Sequence, residues 1–192
     1  MTTRTAHPKV HQLFVDRWSP RAFDESEIPE EDLDAIFAAA GLAPSAFNYQ
    51  PWTFLYARRG DANWERFLSL LVPFNASWAK DAAVLVFIVS DTKMRAGEEP
   101  TDFYSHSFDA GAAWAQMALQ ATLLGYHAHG MTGLRFDEAR AELGLPEEIR
   151  LEAAVAIGRR DHPGRLPEGL REREVPSPRK SVGEIAIPGN YR

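Results

Sequence analysis

Ala82-Ala83-Val84-Leu85-Val86-Phe87-Ile88-Val89 is the longest unbroken apolar run in the chain, closed by Asp81 on one side and Ser90-Asp91 on the other. Its β-branched content predicts a strand, and its lack of alternation predicts burial on both faces. At eight residues it is less than half of what a bilayer-spanning helix needs. Residues 108–124 supply the second decisive pattern. Ala110, Gly111, Ala112, Ala113, Ala115, Ala118 and Ala121 carpet this stretch, with Trp114, Met117, Leu119 and Leu123 between them. A helix that is apolar nearly all round is buried, and in a small chain that places it at the centre of a subunit interface.

Working outward from these two elements, further strands are predicted at 52–57, 126–131 and 151–157. Pro8 opens a short helical pattern through Val10, Leu13 and Phe14 that ends near 17–20. Pro29 followed by Glu30, Glu31 and Asp32 predicts a helix start, since proline suits the first position and acids suit the positive end of the dipole. That helix runs to Gly41, a natural stop. Residues 43–51 form a loop, 61–71 an amphipathic helix, 73–80 a turn and short helix, and 91–105 a loop or lid. A helix at 136–143 is closed by Gly144. Strands and helices alternate without repeated βαβ units, which predicts an α+β domain spanning 1–192, with helices over one central mixed sheet. Residues 159–192 carry five prolines, many charges and few apolar side chains. Such a tail cannot build a core alone, and is expected to fray or to wrap over a neighbouring subunit.

The chain of 192 residues has 21 basic and 27 acidic side chains, a net charge of −6, and no cysteine. Zero cysteine removes disulfides, iron–sulfur clusters, thiolate zinc sites and cysteine nucleophiles together. The acidic balance argues against generic duplex nucleic-acid binding. The first residues lack an apolar stretch, so no signal peptide is expected, and the reading is of a cytoplasmic protein with no membrane partner. A chain of this mass folds with a surface of roughly 9,000 Å². No G-x-G-x-x-G follows a strand, and no P-loop, G-x-S-x-G elbow or H-E-x-x-H helix is present. His127 and His129 alternate on a strand and share a face. With no third ligand evident, the plainer reading is two half-buried ring donors, and no metal is expected. His106 is a candidate pocket residue or an ordinary polar lid side chain.

Two segments are overbuilt for structure alone. In Arg17-Trp18-Ser19-Pro20-Arg21-Ala22-Phe23 a helix end places two arginines around a serine. These groups suit a phosphate, and they equally suit a surface helix terminus. In Ala43-Pro44-Ser45-Ala46-Phe47-Asn48-Tyr49-Gln50-Pro51-Trp52 two prolines hold a loop rich in hydroxyl and amide groups. It can meet the polar edge of a planar heterocycle, or serve as a capped connector.

Taken together, in this order and spacing, the two segments resemble the FMN-dependent nitroreductase family. Phe74-Asn75 with Trp78, the 82–89 strand, the Ala-rich helix ending in Leu124-Gly125, Gly130-Met131-Thr132-Gly133-Leu134, Val155-Ala156-Ile157-Gly158 and Pro178-Arg179-Lys180-Ser181-Val182 match in register, so the resemblance covers essentially the whole chain. It implies a nitroreductase-like fold and an FMN held at the interface of an intertwined homodimer. Arg17 and Ser19 would meet the phosphate and ribityl chain, Trp18 would contribute through its position on the same turn, and Arg179 would add a second cation. Arg21 would lie at the N1–C2 edge of the flavin and Asn75 at its pyrimidine edge. Pro44, Ser45, Ala46 and Asn48 would come from the partner subunit, and the backbone around Met131, Thr132 and Gly133 would approach N5. Thr132 stands where some relatives carry an acid.

The implied activity is ping-pong transfer of hydride from NADH or NADPH, a transient donor, to a small electron-poor acceptor such as a nitroaromatic, quinone or enal. The flavin would carry the chemistry, so no catalytic side chain is singled out. Phe47, Tyr49, Phe103, Tyr104 and His106 are candidate pocket walls. Another FMN reaction of the family (dehalogenation, dehydrogenation or flavin fragmentation) and a non-catalytic flavin-binding module are the alternatives.

Overall fold

The computed structural model describes residues 4, 6–95 and 97–191. The opening residues 1–3 and 5, on which the signal-peptide expectation rests, and Ala96 in the expected lid lie outside the described residues, as does Arg192 of the tail. The apolar run becomes β2 (Val84–Asp91), flanked in one sheet by β1 (Trp52–Arg58) and β6 (Ile149–Gly158), with β5 (His127–Met131) beyond β6. Two short strands, β3 (Lys93–Met94) and β4 (Thr101–Asp102), form a separate ribbon within the expected lid.

Alternate side chains of β2 enter opposite cores, as the period of a strand requires. Leu85, Phe87 and Val89 pack with Phe67, Leu71, Trp78 and Met131, whereas Val84, Val86 and Ile88 pack with Ile36, Ala113's neighbours Ala110 and Met117, and Tyr126. The first core lies under α3 (Trp64–Ser69), α4 (Pro73–Ala79) and α6 (Phe136–Glu142). The second lies under α2 (Glu30–Gly41) and α5 (His106–Leu123). A short α1 (Gln12–Asp16) precedes the arginine-rich turn and contacts α5.

The α+β class and the doubly buried strand agree with the sequence, but the sheet is not mixed. β1–β2, β2–β6 and β6–β5 all pair antiparallel. A parallel pair needs a crossover that returns the chain to the end where it started. The connections from β1 to β2 and from β5 to β6 instead begin each strand beside the end of its neighbour.

Within the single chain, one face of the Ala-rich helix is buried and the other is open. Ala110, Ala113, Met117, Ala118 and Ala121 face the core, while Phe108 and Leu123 are 81% and 61% exposed on the opposite side. The first part of the tail packs on its own chain. Leu166 and Leu170 enter this chain's own first core, and Glu174 is buried as well. Residues 22–24 run antiparallel to 159–161 through a Phe23–Arg160 bridge and the Asp161 N–H to Ala22 and Asp24 N–H to Arg159 bonds. Two short helices, α7 (Glu168–Arg171) and α8 (Val182–Ile185), lie in the tail. Residues 177–191 lie exposed along the surface. The folded chain exposes 11,412 Å², well above the roughly 9,000 Å² of a compact monomer of its mass.

Candidate functional site

An open cleft of about 640 Å³ lies between α5 and the sheet. Arg17 and Ser19 line it from the turn after α1, Met131 and Thr132 from the end of β5, and Ser107 and Glu152 from α5 and β6. Its remaining walls are chiefly small or apolar, among them Ala110, Ala118, Gly130, Ala153 and Val155. At Gly130 a Cβ would stand 3.0 Å from the Trp114 ring, so glycine lets the helix and the strand close on each other here.

Three segments bring arginines together at one end of the cleft, of which only Arg17 is in its lining. Arg17 Nη1 lies 3.5 Å from Ser19 Oγ. Arg179 donates to the Ser177 carbonyl at 3.2 Å, and Arg4 Nε donates to the same oxygen at 3.1 Å. Arg4 also bonds the carbonyls of Val15 and Arg17. Burial and the neighbouring Arg179 charge both lower the Arg17 pKa from its usual value. Burial, Arg179 and Arg17 do the same for Arg4. Neighbouring guanidinium groups of this kind suit an anion. The sequence pattern carries no signal for Arg4, which comes from outside every quoted motif.

Asn75 and Gly133 form a second fixed pair. Asn75 Nδ2 and the Val72 N–H both donate to the Gly133 carbonyl, at 3.1 Å each. A Cβ on Gly133 would sit 2.4 Å from Asn75 Nδ2 and 3.0 Å from Val72 Cγ2. Gly133→Ala is therefore expected to displace the loop after β5 and to cost about 1–3 kcal/mol in chemical denaturation. An unchanged midpoint would show that Asn75 can swing away freely.

Other expected site residues lie elsewhere. Trp18 is buried, with its ring edge-on to His127 at 6.3 Å. Arg21 lies outside the cleft, in a groove with Arg173, Val175 and Pro176. Its backbone N–H and that of Ala22 donate to Glu174 Oε1 at 2.7 and 2.9 Å, and its guanidinium stands 4.0 Å from Glu174 Oε2. Burial and Arg173 lower the Arg21 pKa, and Glu174 acts in the opposite direction.

Pro44, Ser45, Ala46 and Asn48 sit in the loop beside the start of α5, away from this chain's own cleft lining. The loop is held from outside: the Ala46 N–H donates to Asp109 Oδ2 at 3.0 Å, and Tyr49 donates to the Lys93 carbonyl at 2.9 Å. Phe47, Asn48 and Gln50 take φ of 55°, 54° and 53°, a region costly for side-chain-bearing residues. Of the candidate pocket walls, Tyr49 and Phe103 pack on each other at 4.9 Å, and Phe47 and Tyr104 point to solvent. His106 stands behind the cleft, its Nδ1 2.8 Å from Ser90 Oγ.

His127 and His129 serve as packing groups. His129 Nδ1 donates to the Pro20 carbonyl at 2.8 Å, and its ring centroid lies 4.6 Å from that of Trp78. Among the described residues no three His, Cys, Asp or Glu side chains come together as a metal site. Burial, aided by nearby arginines, lowers both histidine pKa values to about 4 from 6.5. The unfolded chain then binds these protons at a higher pH than the folded one, so stability is full above about 6.5 and falls as pH drops toward 4. The denaturation midpoint is expected to fall between pH 7 and pH 5, and His129→Gln to flatten that dependence. A midpoint constant over this window would contradict the assignment.

The comparisons with known proteins follow the same segments. A structure described as an oxidoreductase containing FMN is 46% identical, with a TM-score of 0.97 over 100% of this chain and 98% of that one. A protein of Archaeoglobus fulgidus, named as a candidate NADH dehydrogenase/NAD(P)H nitroreductase, is 30% identical over 151 residues, covering 77% of this chain and 83% of its own. An enone reductase of CLA biosynthesis in Lactiplantibacillus plantarum is 26% identical over 182 residues, covering 77% and 83%. No helix among the described residues is long and apolar enough to cross a membrane. The pattern that defines the Nitroreductase family matches residues 15–72 and 61–159, which takes in the arginine-rich turn, the strained loop, Asn75 and the end of β5. The chain belongs to the Nitroreductase family.

Proposed function

We propose that the cleft holds FMN and that the protein is an NAD(P)H oxidoreductase for small electron-poor acceptors such as nitroaromatics, quinones and enals. The observation that carries this reading is the sharing of one cleft by Arg17, Ser19 and Thr132, with small apolar walls between them. The residues fit the group. Guanidinium charge gathers where a phosphate dianion would need it, Ser19 adds a hydroxyl, and the small walls at Ala110, Ala118 and Ala153 leave room for a flat ring. The FMN of an oxidoreductase 46% identical over the whole chain supports the same cofactor.

Arg17 and Arg179 would hold the phosphate, and Ser19 the ribityl hydroxyls. The Gly133 carbonyl is already held by Val72 and Asn75, so the loop at the ring edge is rigid before any ligand arrives. FMN, when bound, supplies the capacity to accept hydride from NAD(P)H and pass it to the acceptor. The protein's part is to bind, orient and exclude water. The exposed apolar face of α5 and the excess surface area favour a homodimer, in which the loop at 43–51 of one subunit could reach the cleft of the other. A dimer of this kind in the cytoplasm would have direct access to NAD(P)H.

Addition of FMN to purified protein is expected to give a stoichiometric flavin absorption band, bleached anaerobically by NADH or NADPH. A protein that binds no FMN overturns the proposal. One that binds FMN but is not bleached is a binding module rather than a reductase. Reoxidation rates with a nitroaromatic, a quinone and an enal then rank the acceptors.

A further inference from the structure

Four polar side chains converge where the cleft meets the start of α5. Glu152 Oε1 accepts from Ser90 Oγ at 2.6 Å and from Ser107 Oγ at 2.7 Å. His106 Nδ1 lies 2.8 Å from Ser90 Oγ, 3.3 Å from Ser107 Oγ and 3.4 Å from Glu152 Oε1. Glu152 Oε2 is 3.4 Å from Arg150 Nε. Ser107 and Glu152 line the cleft, whereas Ser90 and His106 stand behind them. Ser90 is fully buried, and the side chains of His106 and Glu152 are 15% and 17% exposed.

With Glu152 taken as the ionised carboxylate, the hydrogen-bond pattern assigns one proton. Each hydroxyl has a single hydrogen, and both are donated to the carboxylate. The short contact between His106 and Ser90 therefore requires the imidazole to donate, which places a hydrogen on Nδ1. A proton held on His106 has a path of 3.3 Å to Ser107 Oγ, or 3.4 Å to Glu152, and both of these open on the cleft. The cluster is a polar inlet in walls that are otherwise largely apolar. An anchor for the helix start would not need its hydroxyl and carboxylate turned toward that space.

We propose that Ser107, oriented by Glu152 and supplied by His106, forms a proton-delivery site for acceptors reduced in the cleft, and that conjugated enones and enals are the class it serves. This rests on the FMN reading above. In such an acceptor, hydride from the reduced cofactor forms a C–H bond at the β-carbon. The π pair of the C=C bond moves to give an enolate, which takes the Ser107 hydroxyl proton to form the C–H bond at the α-carbon, while the Nδ1 proton of His106 passes to the Ser107 oxygen. The two electrons come from NAD(P)H through the flavin, and His106 stays neutral by taking a proton from water on its Nε2 as it gives up the one on Nδ1. An acceptor that takes electrons alone has no use for this site.

The test compares 2-cyclohexenone with ferricyanide, which accepts electrons without a proton, as oxidants of anaerobically reduced holoprotein. The ratio of the enone rate to the ferricyanide rate is expected to fall about 100-fold in Glu152→Gln and in His106→Gln, the scale of general acid catalysis. Nitrogen-15 spectra of the apo protein, with the His106 signal assigned by its loss in His106→Gln, should place the ring proton on Nδ1. An unchanged ratio in both variants at matched FMN content, or a ring protonated on Nε2 alone, overturns the proposal. A wild type that binds no FMN, or is not reduced by NAD(P)H, would instead sink the reading beneath it. If either variant fails to fold, the other variant and the Ser107→Ala ratio decide.

Discussion

Arg17→Ala is expected to weaken FMN binding about 100-fold while riboflavin binding falls about threefold or less. The two ligands differ only by the phosphate, so their ratio isolates the charge-assisted bonds from the packing of the ring. Arg17 reaches the cleft from a turn pinned on both sides: its carbonyl accepts from Arg4, and its guanidinium lies beside Ser19. Its pKa is already lowered by burial and by Arg179. A dianion there relieves repulsion as well as accepting hydrogen bonds, which places the effect toward the upper end of the usual 1.5–3 kcal/mol or so for a bond to a charged group. Arg179→Ala should cost less, because Arg179 lies on an exposed segment and turns to the Ser177 and Pro178 carbonyls. Fluorescence titrations of both flavins against both variants check this ordering. Equal losses for FMN and riboflavin would mean that Arg17 shapes the cleft without meeting the phosphate.

Much of this architecture is legible in the sequence because it rests on local pattern. The 82–89 run could be placed on both sides of a sheet from its composition alone, and β2 sits between two cores. The end of α6 is written in Gly144, whose φ of +63° no other residue adopts as cheaply. Strand direction was harder to read, since antiparallel and mixed sheets share the same apolar periods and differ only in where the connections return. The part of the tail that packs on this chain is hard to read for a similar reason. Two leucines, Leu166 and Leu170, are too few to signal a core by themselves, yet they fill gaps in a core built by other segments.

Within the site, Arg17, Ser19, Met131 and Thr132 carry motif signals, and the cleft brings them together. Arg4 carries none, because its three carbonyl partners are in segments that only the fold makes neighbours. Glu152 is obscured in another way. The β2–β6 register shifts between Ile88 and Val89, and Glu152 and Ala153 consequently both line the cleft. A reading by strict alternation would place them on opposite faces.

Glu174 is the least legible residue of all, one acid among the 27 of an acidic chain, and its loss is expected to have the largest effect on stability. Its side chain is 1% exposed. One oxygen accepts from two consecutive backbone N–H groups, and the other faces the Arg21 guanidinium. Glu174→Ala orphans both N–H groups and leaves Arg21 without its counter-charge, a loss of about 3–5 kcal/mol for a buried partner removed. In a chain of this length that corresponds to a fall of roughly 10 °C in Tm. Glu174→Gln keeps an oxygen for the two N–H groups and removes only the charge, so it should cost about 1 kcal/mol. The gap between the two variants separates the hydrogen bonds from the ion pair, and differential scanning calorimetry of both measures it. The same residues tie stability to the cofactor. Glu174 holds the backbone at 21–22, only two residues beyond Ser19, so the alanine variant should also lose FMN affinity, and riboflavin affinity with it. A variant within 1 °C or so of wild type would mean that the 17–23 turn keeps its shape without the tail. The pairing of residues 22–24 with 159–161 would then be the contact that sets the cleft's cationic end.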